Sequence, residues 1–164
     1  MTDLRYPIGP EPAGTSIAES IRDLDEAPAR LREAVRGLDG AQLDTPYRPG
    51  GWTVRQVVNH LASSHMHGYC RCHVALVEDN PAVKSYHREL PDAGTLPVEI
   101  PLDLFEALQR RLVALFRSLT PDEWQRTYRH SDRGPMSVEQ AAAFYAWHAR
   151  HHTAHIASLR QRMG

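Results

Sequence analysis

The chain has 164 residues, 41% of them hydrophobic and 24% charged, and its 19 basic and 20 acidic side chains leave a formal net charge of −1 with histidine neutral. That length suits one core rather than two, so residues 1–164 are read as a single domain, and the near balance of charge leaves no footprint for nucleic acid or an anionic membrane. No apolar run approaches the ~20 residues of a bilayer-spanning helix, and Met1-Thr2-Asp3-Leu4-Arg5-Tyr6-Pro7 lacks the apolar centre of a secretion signal, so a cytoplasmic protein is expected. Residues Met1 to Gly14 carry Pro7, Pro10 and Pro12 without apolar periodicity and are expected to run extended over the surface.

From Ser16 the text becomes helical. Ser16-Ile17-Ala18-Glu19 has the form of a capping box, and Ile17, Ile21, Leu24, Leu31, Ala34 and Val35 follow at helical spacing, with Pro28 expected to kink the helix or start its second half. Gly37 and Gly40 close it. Asp44 to Gly51 then reads as a tight connector, after which Thr53 and Gln56 form a second capping box. Val54, Val57, Val58, Leu61, His65 and Tyr69 repeat on one side of a helix expected to reach about Glu78. Pro81, Pro91, Pro97 and Pro101 forbid a long helix next, so Asn80 to Ile100 is expected to be an irregular excursion of the kind that is functional or a crossover, with Tyr86 or His87 close to substrate.

Leu104, Phe105, Leu108, Leu112, Leu115 and Phe116 mark a third helix from about Leu102 to Leu119, stopping before Thr120-Pro121. A short capped turn at Thr120 to Trp124 and a second turn at Ser131 to Pro135 lead to Ser137, which with Gln140 caps a last helix from Val138 to about Met163. Four amphipathic helices with no convincing strand pattern describe an all-α four-helix bundle with a long connection between its second and third helices. Cys70 and Cys72, two apart on a helix, would point ~200° away from each other. They fit helix packing in a reducing compartment better than chelation or a disulfide.

The last helix holds the most informative pattern: four histidines in the eight residues His148 to His155. With ~100° per residue and His148 set at zero, His151 falls near about −60°, His155 near about −20°, and Phe144 and Leu159 lie on the same arc. Imidazoles interrupting an apolar stripe need partners, and a shared divalent ion is the simplest one. His151 and His155, four apart, can grip one ion, while a catalytic centre of the zinc type takes three protein ligands and leaves a place for water. The third donor must come from another helix, where His60 at the margin of the second helix's apolar stripe is the leading candidate and His67 competes with it. His148 and His152 are read as outer partners or surface groups. His73, His87 and His130 are read as surface residues. The plainer alternative is that these imidazoles only pack and hydrogen-bond within the bundle.

Two stretches also carry a resemblance. Thr45-Pro46-Tyr47-Arg48-Pro49-Gly50-Gly51-Trp52-Thr53-Val54-Arg55-Gln56-Val57-Val58-Asn59-His60-Leu61-Ala62 and Tyr145-Ala146-Trp147-His148-Ala149-Arg150-His151-His152-Thr153-Ala154-His155-Ile156 closely resemble the YfiT branch of the DinB-like superfamily, and the likeness spans essentially the whole chain. The resemblance implies a DinB-like four-helix bundle holding one divalent ion per chain, zinc first and nickel second, on one histidine of the second helix and an H-x-x-x-H pair of the last. Matched position by position, those ligands are His60, His151 and His155. It further implies a metal-dependent hydrolase acting on a small molecule and assembled as a homodimer. The alternative activity is transfer of a low-molecular-weight thiol of the bacillithiol type, and a non-catalytic metal or small-ligand binding module is the reading outside enzymes. No general base is implied, so the catalytic residues stay unassigned.

Overall fold

Each capping box expected of the three helices is formed. In the computed structural model, which describes residues 14–85 and 94–164, Ser16, Thr53 and Ser137 each accept from the backbone three residues on, and Glu19, Gln56 and Gln140 reach back to the cap. Helix α1 spans Ile17–Val35 and runs through Pro28 as one helix. A single turn, α2 (Gly40–Leu43), precedes α3 (Val54–Val77); α4 covers Glu99–Ser118, the turn α5 Pro121–Trp124, and α6 Val138–Met163. Helix α4 begins three residues before the expected Leu102. Pro101 sits in its first turn, where its missing N–H removes no helical hydrogen bond. The stretch expected to run extended from Met1 lies outside the described residues except for Gly14.

The four long helices form the bundle: α1 packs on α4 and α6, and α3 packs on the same two. Arg32 of α1 ties α4 through Asp103 and Glu106 at 2.6 and 2.9 Å, and Arg150 of α6 pairs with Asp23 of α1. Arg160 donates to the carbonyls of Glu33, Ala34 and Arg36, completing the open end of α1. No helix among the described residues is long and apolar enough to cross a membrane.

The expectation of no strands is corrected. Residues Ala82–Val83 (β1), Thr127–His130 (β2) and Gly134–Ser137 (β3) form a small sheet in the order β1-β2-β3, with β1 parallel to β2 and β2 antiparallel to β3. Strands of two to four residues, one containing Gly134-Pro135, are too short for alternation to register in the sequence. His130, expected at the surface, is buried at the end of β2, where its Nδ1 accepts from the Asp132 backbone at 3.2 Å. Strand β1 orders part of the Asn80 to Ile100 excursion. Arg71 of α3 holds its outward leg through the Lys84 carbonyl, and Arg55 holds its return leg through the Leu96 carbonyl. Tyr86 and His87 lie outside the described residues.

Helices α3 and α6 approach closely at Gly68. A Cβ built there would stand 2.5 Å from the Tyr145 ring, inside any tolerable contact, while Tyr145 itself is buried and its hydroxyl accepts from Arg71 at 3.0 Å. Gly68→Ala is therefore expected to destabilise the fold by about 1–3 kcal/mol through overpacking, read as a lower denaturation midpoint in urea at unchanged slope. A midpoint equal to that of the parent protein would show that the interhelical gap gives way freely.

Candidate metal centre

Four imidazoles of α6 face inward. His148, His151, His152 and His155 are 6, 2, 1 and 0% exposed, and His60 of α3 is half-buried opposite them. Within this set, His60, His148 and His152 each offer a ring nitrogen, and those nitrogens lie within 4.8 Å of one another. His60 Nε2 and His148 Nε2 are 3.1 Å apart, and the ring centroids of His60 and His152 are separated by 4.7 Å. Among the described residues no other three His, Cys, Asp or Glu side chains converge in this way. Cys70 is exposed and Cys72 buried, on different faces of α3 as their spacing implied.

His60 thus stands where the sequence put it, at the margin of α3 facing the last helix, and His67 is not in the group. The partners on α6 differ from the expected ones. His60 meets His148 and His152, whereas His151 and His155, the expected pair, stand beside each other with ring centroids 4.4 Å apart and outside the converging group. The reason is arithmetic. Residues 148, 151, 152 and 155 contain two H-x-x-x-H pairs offset by three positions, both within ~100° of arc, and periodicity alone does not say which pair the crossing of α3 selects. His148 and His152, expected at the surface or in an outer role, are both buried, on the same arc as the expected pair.

Burial governs the chemistry of these rings. It holds His148 and His152 well below the ordinary imidazole pKa, helped by the neighbouring imidazoles, and lowers His151 as well. His155 falls to about 4, from burial first and then from His151 and Arg48. Neutral imidazoles with exposed lone pairs are the form in which histidine ligates a metal. The ring nitrogens of His151 and His152 are buried and make no hydrogen bond among the described residues, which leaves them available to something the chain does not itself supply.

A turn in the α2–α3 connector roofs the site. Gly51 N–H donates to the Arg48 carbonyl at 2.9 Å, with Pro49 and Gly50 (φ 68°) at the two central positions of a type II turn that requires positive φ at the second. The Tyr47 N–H donates to the Trp52 carbonyl, so the two aromatics flank the turn. Tyr47 stacks on His155 with centroids 4.3 Å apart and planes 3° from parallel, while Trp52 lies 4.5 Å from His60 and 6.0 Å from His152. Neither role was assigned from the sequence, although Pro49-Gly50-Gly51-Trp52 gives the turn directly.

The comparisons with known proteins agree with this architecture. Residues 23–156 match the DinB superfamily. A protein of Bacillus cereus (strain AH820), provisionally named a metal-dependent hydrolase, is 46% identical over 172 residues and covers 99% of each chain. A Bacillus mycoides (strain KBAB4) protein of the same provisional name is 46% identical over the same span. Among solved structures, YfiT from Bacillus subtilis, described as a probable metal-dependent hydrolase with an unusual four-helix bundle topology, is similar with a TM-score of 0.92 at 42% identity over 99% of both chains. Likeness along the whole length, in sequence and in backbone alike, means that the chain belongs to the DinB superfamily.

Proposed function

We propose that the chain is a metal-dependent hydrolase of a small-molecule substrate, with one divalent ion held by His60, His148 and His152. The observation that carries this reading is the convergence of three ring nitrogens from two helices within 4.8 Å, two of them on buried rings. The donor set fits the group: three nitrogens suit zinc, with nickel next, and match the ligand number of catalytic sites that keep a coordination position open. When bound, a divalent ion on three neutral ligands keeps its full charge, lowers the pKa of water to about 7 and polarises a substrate carbonyl.

The chain's own residues do the rest. Burial keeps His148 and His152 neutral, so the lone pairs they present need no proton removed first. Trp52 and Tyr47 cover the imidazoles and exclude bulk water on that side, which strengthens electrostatic interactions within. His151, with centroids 5.2 Å from His152 and both nitrogens free of hydrogen bonds among the described residues, offers a donor or an acceptor to substrate. The same reading takes residues 1–164 as one domain, working as a homodimer in a reducing cytoplasm where Cys70 and Cys72 stay free thiols.

The test is metal analysis of the purified protein, followed by assays of the metal-loaded protein on a panel of esters and amides and on monochlorobimane, with and without bacillithiol, mycothiol or glutathione. One equivalent of bound ion and thiol-independent ester or amide cleavage are expected. Conjugation that requires a thiol would replace hydrolysis with thiol transfer, and bound ion with neither reaction would reduce the chain to a binding module.

A further inference from the structure

A buried glutamine on a third helix lies behind this site. Gln109 of α4 is 1% exposed, and its side-chain oxygen stands 3.2 Å from Nδ1 of His65 on α3, a ring that is itself fully buried. Nε2 of the same ring lies 3.4 Å from Nδ1 of His148, whose Nε2 is the atom 3.1 Å from His60 Nε2. Four polar side chains of three helices thus form one line that ends in the proposed metal centre. Phe105 and Tyr145 each meet the His65 ring edge to face, at 5.0 and 5.1 Å, and fix its plane between them.

The line has a direction. An amide oxygen only accepts, so His65 must donate from Nδ1. A neutral His65 that donates from Nδ1 has only a lone pair at Nε2, which makes His148 the donor from its own Nδ1. A neutral His148 that is protonated at Nδ1 carries its lone pair at Nε2, the atom that faces His60. Were the amide reversed, the NH₂ group would drive each proton the other way and leave His148 protonated at the nitrogen that faces the centre. As placed, the Gln109 oxygen makes the contact with His65, and its amide nitrogen makes no hydrogen bond among the described residues.

We infer that Gln109 and His65 are positioning residues that set the tautomer of His148, and so present its Nε2 lone pair as a metal ligand. The inference rests on the proposed metal centre, and its experiment separates the two. In metal-free full-length protein, nitrogen NMR of the histidine side chains is expected to show His148 as the Nδ1–H tautomer, and the same measurement in Gln109→Leu is expected to show that preference lost. Zinc affinity by competition with a chromophoric chelator is expected to fall about 10- to 100-fold in Gln109→Leu and in His65→Phe, with one equivalent still bound at saturation, and to recover in Gln109→Glu, which keeps an acceptor oxygen. An Nε2–H tautomer in the parent protein, or parent-like affinity in a folded Gln109→Leu, would overturn it. Should Gln109→Leu fail to fold, the parent tautomer and the Gln109→Glu affinity still decide the matter. A parent protein that binds no zinc would remove the metal centre itself, while the NMR would still report the direction of the line.

Discussion

Replacing His148 or His152 with alanine is expected to weaken binding of a divalent ion by more than ~100-fold, since removing even the outer partners of a metal site costs 10–100-fold and these are direct donors. His60→Ala should do the same. The informative controls are His151→Ala and His155→Ala, which keep the converging group of His60, His148 and His152 intact and should retain one equivalent of ion at an affinity within a few-fold of the parent. The measurement is equilibrium zinc competition together with bound-metal analysis, with circular dichroism to show that each variant is folded. The reverse pattern, in which the ion leaves with His151 and His155 and stays with His148→Ala, would move it to the other pair. Because the two pairs share one helix and overlap, only this four-way comparison tells them apart.

Stripping the ion should cost stability on a scale visible in an ordinary melt. Without it, the buried ring nitrogens of His152 have no hydrogen-bond partner among the described residues, and groups in that condition cost about 1–3 kcal/mol each. At a free ion concentration a thousand times the dissociation constant, mass action adds about 4 kcal/mol to the folded state. For a chain of this size that corresponds to a rise of about 8–16 °C in Tm. Excess chelator is therefore expected to lower Tm by that amount, and added zinc to restore it. A melt indifferent to both would mean that the rings are accommodated by packing alone, the plainer reading of the histidine stripe.

The long helices were legible because apolar spacing and capping chemistry pointed the same way. Ser16 with Glu19, Thr53 with Gln56 and Ser137 with Gln140 fixed three starts to within a residue. His60 was legible for a related reason, as a polar side chain at the margin of an apolar stripe. What stayed hidden depends on how helices cross. The choice between His148/His152 and His151/His155 is set by the contact of α3 with α6, and that contact depends on Gly68 admitting the Tyr145 ring, which no pattern within either helix reveals. Gln109 was invisible because a lone glutamine within an apolar period reads as a solvated position until a neighbouring helix covers it. The small sheet escaped because backbone pairing of two to four residues leaves no periodic trace.

Arg162, in the last turn of α6, donates to the Tyr47 carbonyl, where the aromatic cover over the imidazoles begins. The far end of the helix that carries the histidines thus latches the cap above them, about 15 Å along the axis from His152. Stiffness of that cover is consequently borrowed from a guanidinium that lies outside the histidine cluster. Fraying or clipping of that terminal turn would unfasten the cover and leave the rings beneath it in place.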